Sequence, residues 1–159
     1  ARRSLTVSQF QSIVGQLRAK WPQAVIIVAN SHKLKGRYVD PSIKPFLLDK
    51  SEASSLRFLD AIRNTDLVVS VDSGPLHIAC ALGTPVVALF SSAHPATVMN
   101  SGVAAYPLRA EALSAVYCEV LDCKVPVCMN SLTLETPWVR AQSAEQRSIF
   151  RERCPLDAE

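Results

Sequence analysis

Two short apolar runs, separated by a polar turn and a short helix, constrain the fold of this chain more than any other feature. Residues 67–71 and 86–90 are rich in valine and leucine, as expected for parallel strands covered on both faces. Pro75 suits the first turn of the helix between them, and Gly83 suits the residue just beyond its end. The pattern predicts a buried strand, a helix over residues 75–82 and a second buried strand.

A capping box and a periodic apolar pattern indicate another helix near the start of the chain. Ser8 and Gln11 have capping-box spacing, and the apolar side chains that follow recur at helical intervals. A helix is therefore predicted over residues 8–20, followed by a buried strand over residues 24–29. The linker at residues 30–50 is polar and carries five basic against two acidic residues. Two interpretations of this linker stay open: its positive charge steers an anionic ligand, or it is an ordinary solvent-exposed loop.

A further helix completes an alternation of helices and strands. Ser51 or Ser54 can cap this helix, which is predicted to run to about Arg63. The order helix, strand, helix, strand, helix, strand favours an α/β fold in which a Rossmann-like parallel sheet has helices on both faces. Beyond Phe90, short strands and loops are expected, with a late helix over residues 136–153.

Size and composition restrict the function classes. The 159 residues, of which 48% are hydrophobic and 19% charged, fit a single ordered domain over residues 1–159. A net charge of +3 and an aromatic content of 6% give neither the basic face nor the stacking rings of a nucleic-acid binder. No apolar run reaches the ~20 residues that span a bilayer, so a cytoplasmic chain is expected. The missing initiator methionine predicts a fragment of a longer protein.

Metal sites and two other enzyme classes fit the sequence poorly. Five cysteines, an odd number, favour reduced thiols over a disulfide framework. Cys118, Cys123 and Cys128 lack the close pairs of a structural zinc site, so no metal is predicted. Ser73 lies near His77 but outside any G-x-S-x-G elbow, which argues against a serine hydrolase. The absence of G-x-G-x-x-G argues against a nicotinamide dehydrogenase.

The polar turn after the first of the two central strands is the candidate binding site. Asp72, Ser73, Gly74 and His77 lie at a strand's carboxyl end, where open α/β sheets bind ligands. The amides of Gly74, Leu76 and His77, the Ser73 hydroxyl and the His77 imidazole are donors that fit a diphosphate at a helix amino terminus. Asp72 would repel phosphate, so a sugar hydroxyl is its expected partner. The alternative is that Asp72 or Ser73 merely caps the helix and His77 is a satisfied, partly buried side chain.

The central segment resembles the signature of the ADP-heptose:lipopolysaccharide heptosyltransferase family, in its carboxyl-terminal half. The residues that carry the resemblance are Asp66-Leu-Val-Val-Ser-Val-Asp-Ser-Gly-Pro-Leu-His-Ile-Ala-Cys-Ala-Leu-Gly-Thr-Pro-Val-Val-Ala-Leu-Phe90. Trp21-Pro22 upstream is also similar to the family, as is the cysteine-bearing loop at residues 118–128 with Met129 behind it. The resemblance covers about residues 8–147.

The resemblance implies the donor-binding half of an inverting, two-domain GT-B glycosyltransferase (glycosyltransferase family 9). It would transfer heptose from ADP-heptose to a lipopolysaccharide core acceptor. Ser73, Gly74 and Leu76 would contact the diphosphate, and Asp72 the sugar. His77 would be the catalytic residue, neutralising the leaving diphosphate without a metal or other cofactor. The parent enzyme would act at the cytoplasmic face of a bacterial inner membrane, with peripheral membrane association.

Three departures from the family pattern shape these expectations. Ser91 stands where a glycine often follows the strand that ends in Phe90, and Asn30 stands where an acidic residue often holds the ribose. The family's general base, a carboxylate of the amino-terminal acceptor domain, has no counterpart in this chain. The chain alone is therefore expected to bind donor without transferring sugar. The rival hypothesis is a non-catalytic nucleotide-diphosphate binding or interaction module of the same fold.

Overall fold

The computed structural model of the chain describes residues 5–30, 42–91, 93–99 and 103–109. Helices and strands alternate along most of this part. In chain order they are α1 (Val7–Lys20), β1 (Ile26–Asn30), β2 (Ile43–Leu47), α2 (Glu52–Arg63), β3 (Val68–Val71), α3 (Gly74–Leu82), β4 (Val86–Phe90), α4 (Pro95–Val98) and β5 (Ala105–Arg109). No helix in these ranges is long and apolar enough to cross a membrane.

The capping box of α1 is formed two residues earlier than predicted. Thr6, with an extended backbone, is the N-cap: the Gln9 amide donates to the Thr6 hydroxyl at 3.2 Å, and the Thr6 amide donates to Gln9 Oε1 at 2.9 Å. The prediction of Ser8 as the cap is wrong because Thr6 and Gln9 offer the same spacing one half-turn upstream. The apolar side is confirmed at Ile13 and Val14, which are both buried.

The stretch that sequence reasoning treated as a polar linker contains a strand. In β2, Ile43 and Phe46 are half-buried while the residues between them are exposed. β2 pairs in parallel with β1, with Ile26 opposite Ile43. The Phe46 ring lies 6.0 Å from the Phe58 ring of α2, within the range of a favourable aromatic pair. The linker prediction is therefore wrong for Ile43–Leu47, whose apolar positions are hidden in the sequence by Lys44 and Pro45.

The helix α2 begins where one of the two predicted caps lies. Ser51 Oγ accepts a hydrogen bond from the Ser54 amide at 3.0 Å, so Ser51 is the residue that satisfies the first turn. Ser54 is instead buried, and its hydroxyl accepts from the Asp49 amide at 3.1 Å. Two hydrogen bonds from Ser51 to the Asp49 carboxylate lower the pKa of that carboxyl.

The central part of the chain forms a three-stranded parallel sheet in the order β3-β4-β5. The middle strand β4 is buried at all five positions, which confirms the prediction for residues 86–90. Val71 lies opposite Leu89, and Phe90 lies opposite Arg109. The helix α3 ends at Gly83, whose φ of 71° lies in the left-handed region that glycine adopts without strain. The predicted helix and second buried strand are therefore confirmed, whereas the first strand, β3, is half-buried at all four positions rather than buried. β5 is one of the short strands expected beyond Phe90.

Parallel sheets flanked by helices make this an α/β, Rossmann-like fold, as predicted. Two compact units divide the described residues, one over Thr6–Ala61 with β1 and β2, the other from Ile62 onwards with β3, β4 and β5. The cysteine loop at residues 118–128, Cys154 and the late helix predicted over residues 136–153 lie outside the described residues. The prediction of one donor-binding domain stays a prediction.

Candidate functional site

The turn between β3 and α3 is held at the carboxyl edge of the sheet by its own backbone. The Asp72 amide donates to the Leu89 carbonyl of β4 at 3.2 Å, so the last hydrogen bond of the β3–β4 ladder fixes the start of the turn. Ser73 is the N-cap of α3 with extended backbone angles, φ −162° and ψ 174°. Pro75 follows in the first helical turn, where its missing N–H and preset φ are favourable.

The side chain of Ser73 does not cap the helix. Its hydroxyl instead donates to the Val71 carbonyl at 3.0 Å and lies 3.3 Å from the Ser70 hydroxyl. The alternative in which Ser73 caps α3 through its side chain is therefore wrong. The Ser73 hydroxyl still has lone pairs to offer, but its proton is already in use.

Some backbone amides at the start of α3 are already hydrogen-bonded within the turn, and others can donate to a ligand. The Leu76 amide donates to the Ser73 carbonyl at 3.1 Å, so it is already hydrogen-bonded, and the role of Leu76 as a phosphate donor stays a prediction. The Leu76 side chain is fully buried and anchors the helix. Intrahelical bonding leaves the amides of the N-cap and first residue unused, which here are Ser73 and Gly74. The Ser73 amide is a donor that sequence reasoning missed.

Gly74 leaves the mouth of this turn open. Among the described residues, a Cβ built on Gly74 meets no atom within 4 Å, and Gly74 is exposed. Its φ is not positive, since Gly83 is the described glycine with a left-handed backbone. Neither packing nor backbone conformation therefore requires glycine at this position. Gly74 therefore leaves the backbone of the turn accessible to a ligand.

Asp72 and His77 lie side by side at the turn. The Asp72 carboxylate is largely buried and the His77 ring is half exposed, with 3.7 Å between Asp72 Oδ1 and His77 Nε2. That distance is too long for a hydrogen bond but close enough for strong attraction when the ring carries a proton. The structure thus brings together all the predicted polar residues of the turn. The acid, Asp72, lies just before the N-cap of α3, and the imidazole of His77 lies beside it.

Two further residues at the same sheet edge were missed or undervalued in the sequence. Arg109 ends β5 and is only 4% exposed, yet a charged residue after an apolar run gave no signal of its own. His94 follows β4, and its Nδ1 accepts a hydrogen bond from the Ala96 amide at 3.2 Å. Burial and then the nearby charge of Arg109 lower the pKa of His94.

The described ranges contain no group of three or more His, Cys, Asp or Glu side chains that could hold a metal ion. Cys80, on α3, is a free thiol whose pKa is raised by burial, which makes it a poor nucleophile.

Comparison with known proteins identifies one family. Residues 55–127 match the family described as glycosyltransferase family 9 (heptosyltransferase), a stretch that includes β3, the Asp72 turn, α3, β4 and β5. No curated protein matches the chain, and neither does any solved structure. The resemblance predicted from residues 66–90 is confirmed over the matched segment, and it supports a glycosyltransferase.

Proposed function

Because residues 55–127 are a glycosyltransferase family 9 segment, we propose that the chain binds the sugar donor of a heptosyltransferase. The donor would be a nucleotide-diphosphate sugar, ADP-heptose, and the acceptor a lipopolysaccharide core. The observation that carries this proposal is the open turn at Gly74, which lies at the carboxyl end of β3 inside the matched segment.

The diphosphate is proposed to sit over the first turn of α3. The amides of Ser73 and Gly74 offer hydrogen bonds there, and the positive end of the helix dipole favours an anion. Since nothing lies within 4 Å of the Gly74 Cβ position, a phosphate oxygen can reach the backbone without displacing a side chain.

Asp72 is proposed to bind the sugar rather than the diphosphate. Its carboxylate is largely buried beside the His77 ring, and a carboxylate gains hydrogen bonds from hydroxyls while it repels phosphate. A sugar attached to the diphosphate therefore places its hydroxyls next to Asp72.

His77 is proposed to act on the leaving group. In an inverting transfer, an acceptor hydroxyl attacks the anomeric carbon from the face opposite the diphosphate, and the bond from that carbon to the phosphate oxygen breaks. Negative charge then develops on the diphosphate, where the His77 imidazole stabilises it without a metal. The proton of the acceptor hydroxyl goes to a carboxylate base on a separate acceptor domain. The chain alone would bind donor and leave it intact.

The proposed acceptor determines where in the cell the parent enzyme would work. A lipopolysaccharide core is anchored in the membrane, so the parent enzyme would work at the cytoplasmic face of a bacterial inner membrane through peripheral association. A nucleotide-diphosphate module without transfer activity is the competing function, and it makes a different binding prediction: it would bind ADP as tightly as ADP-heptose.

Isothermal titration with ADP and with ADP-heptose tests the proposal. Asp72→Asn should lower the affinity for ADP-heptose by about ten- to a hundredfold, because a hydrogen bond to a charged group contributes about 1.5–3 kcal/mol. It should leave ADP binding nearly unchanged. His77→Gln should weaken both ligands, because it removes the imidazole proposed to contact the diphosphate.

Asp66→Asn is the matched control, because Asp66 is an exposed carboxylate just before the opposite end of β3. It should bind both ligands as the wild type does. A wild-type chain that binds neither ligand at millimolar concentration would remove the site assignment. Equal affinity for ADP and ADP-heptose would favour the module without transfer activity.

A further inference from the structure

The carboxyl ends of three neighbouring strands form one polar edge in the unit that begins at Ile62. β3, β4 and β5 are parallel and adjacent, so the segments that follow them leave the sheet on the same side. Asp72 follows β3, and its amide donates to the Leu89 carbonyl of β4. His94 follows β4, and Arg109 is the last residue of β5. Adjacent strands are separated by about 4.8 Å, so the segments begin close together.

The His94 ring is held in one orientation and one tautomer. Its Nδ1 accepts from the Ala96 amide at 3.2 Å. Its carbonyl accepts from the Thr97 amide at 2.9 Å and from the Thr97 hydroxyl at 2.7 Å. A neutral imidazole that accepts at one nitrogen carries its proton on the other. The His94 Nε2–H is thus a defined hydrogen-bond donor.

The charge on this ring is set by its surroundings. Burial disfavours the protonated ring, and the positive charge of Arg109 disfavours it further, so both lower the pKa of His94. Near neutral pH the ring is uncharged. The surroundings of His94 therefore differ from those of His77, whose neighbour is the carboxylate of Asp72.

We propose that His94 is a second sugar-binding residue of the donor site, whose Nε2–H donates to a hydroxyl of the transferred sugar on the side opposite Asp72. This inference rests on the proposed function, since it requires a sugar at Asp72. It goes beyond that proposal by assigning the segment after β4 to sugar recognition.

The chemistry of a sugar hydroxyl explains why a neutral imidazole suits this place. A hydroxyl both donates and accepts, so neighbouring hydroxyls on one sugar can donate to the Asp72 carboxylate and accept from His94. A fully charged cation at the same point would bind Asp72 or the diphosphate more strongly than it binds a hydroxyl. A neutral donor selects the uncharged part of the ligand.

Two substitutions of His94 separate binding from helix capping. His94→Asn keeps an acceptor at the position of Nδ1, so the Ala96 amide stays bonded, but it removes the outer N–H. His94→Gln extends an amide N–H toward the position of Nε2 and gives up the acceptor near the backbone. A purely structural role predicts that the Gln variant is the impaired one.

Titration of wild type and both variants with ADP and ADP-heptose tests the inference, with thermal unfolding as the control for folding. His94→Asn should lose about three- to tenfold in affinity for ADP-heptose, as expected for a neutral hydrogen bond, and should bind ADP unchanged. His94→Gln should bind ADP-heptose within about twofold of wild type, the range expected when the donor is retained.

Each other outcome overturns the inference in a recognisable way. Impaired binding by the Gln variant alone would assign His94 to the structure of α4. Equal loss of ADP and ADP-heptose in the Asn variant would assign it to the diphosphate. Unchanged binding in both variants would remove it from the site. A wild type that binds neither ligand would instead refute the proposed function itself.

Discussion

Replacement of Gly74 by alanine is the most direct test of the open turn. The substitution adds one methyl group at the mouth of the proposed diphosphate site and changes nothing else. The structure predicts that this methyl group harms ligand binding without harming the fold, a combination that few single substitutions give.

The effect of Gly74→Ala on stability follows from the space and the backbone at this residue. No atom lies within 4 Å of the added Cβ, and Gly74 does not have a positive φ, so alanine fits without strain. A glycine-to-alanine change at a compatible position reduces the entropy of the unfolded chain and raises the free energy of unfolding by about 0.4–1 kcal/mol. The variant should therefore be slightly more stable than wild type.

The effect on binding has the opposite sign. The methyl group occupies the space through which a phosphate oxygen would reach the amides of Ser73 and Gly74. Loss of one hydrogen bond to a charged oxygen costs about 1.5–3 kcal/mol, which corresponds to about ten- to a hundredfold in affinity. Titration with ADP measures this loss, and urea unfolding of the same sample measures stability.

Gly15→Ala is the matched control. Gly15 is exposed in the middle of α1, and its Cβ position is equally empty. Alanine there should stabilise the helix by about 0.5–1 kcal/mol and leave ADP binding unchanged. The reasoning is refuted if Gly74→Ala, folded and at least as stable as wild type, binds ADP within twofold of it.

Two further predictions concern the junction between α3 and β4. Gly83→Ala should lower the free energy of unfolding by about 1–2 kcal/mol, because alanine is strained in the left-handed conformation that Gly83 adopts; urea unfolding that matches wild type would contradict this. Thr84→Val should cost about 1 kcal/mol through loss of a buried hydrogen bond, the one from Thr84 Oγ1 to the Ile62 carbonyl at 3.1 Å. Thr84→Ser, which keeps the hydroxyl, should lose less, and equal losses would count against the hydrogen bond.

The elements around the turn could be predicted because local signals and burial agree there. Pro75 and Gly83 limit the helix on both sides, and β4 is buried at every position, so its sequence is a plain apolar run. The polar residues between the strands then stand out against that run. A segment can be predicted from sequence alone when its turn residues and its hydrophobic pattern indicate the same structure.

Other features depend on contacts that the sequence does not display. β2 alternates poorly because Lys44 and Pro45 sit side by side between its inward residues, and only pairing with β1 identifies it as a strand. The effect of the Arg109 charge on the pKa of His94 depends on residues that follow or end two different strands. The use of the Leu76 amide inside the turn depends on the exact course of the backbone, which no residue pattern encodes.

The hydrogen bond from Thr84 to the Ile62 carbonyl has a consequence for how this chain can change. It lies at the amino end of β4, whereas Asp72 and His94 follow the carboxyl ends of β3 and β4. The groups that hold the strands in place are thus separated from those proposed to meet the ligand, by the length of a strand. Substitutions that change ligand preference can therefore accumulate, or be selected from a library of variants, at the carboxyl end of the sheet. The hydrogen bond at the amino end is kept in such variants.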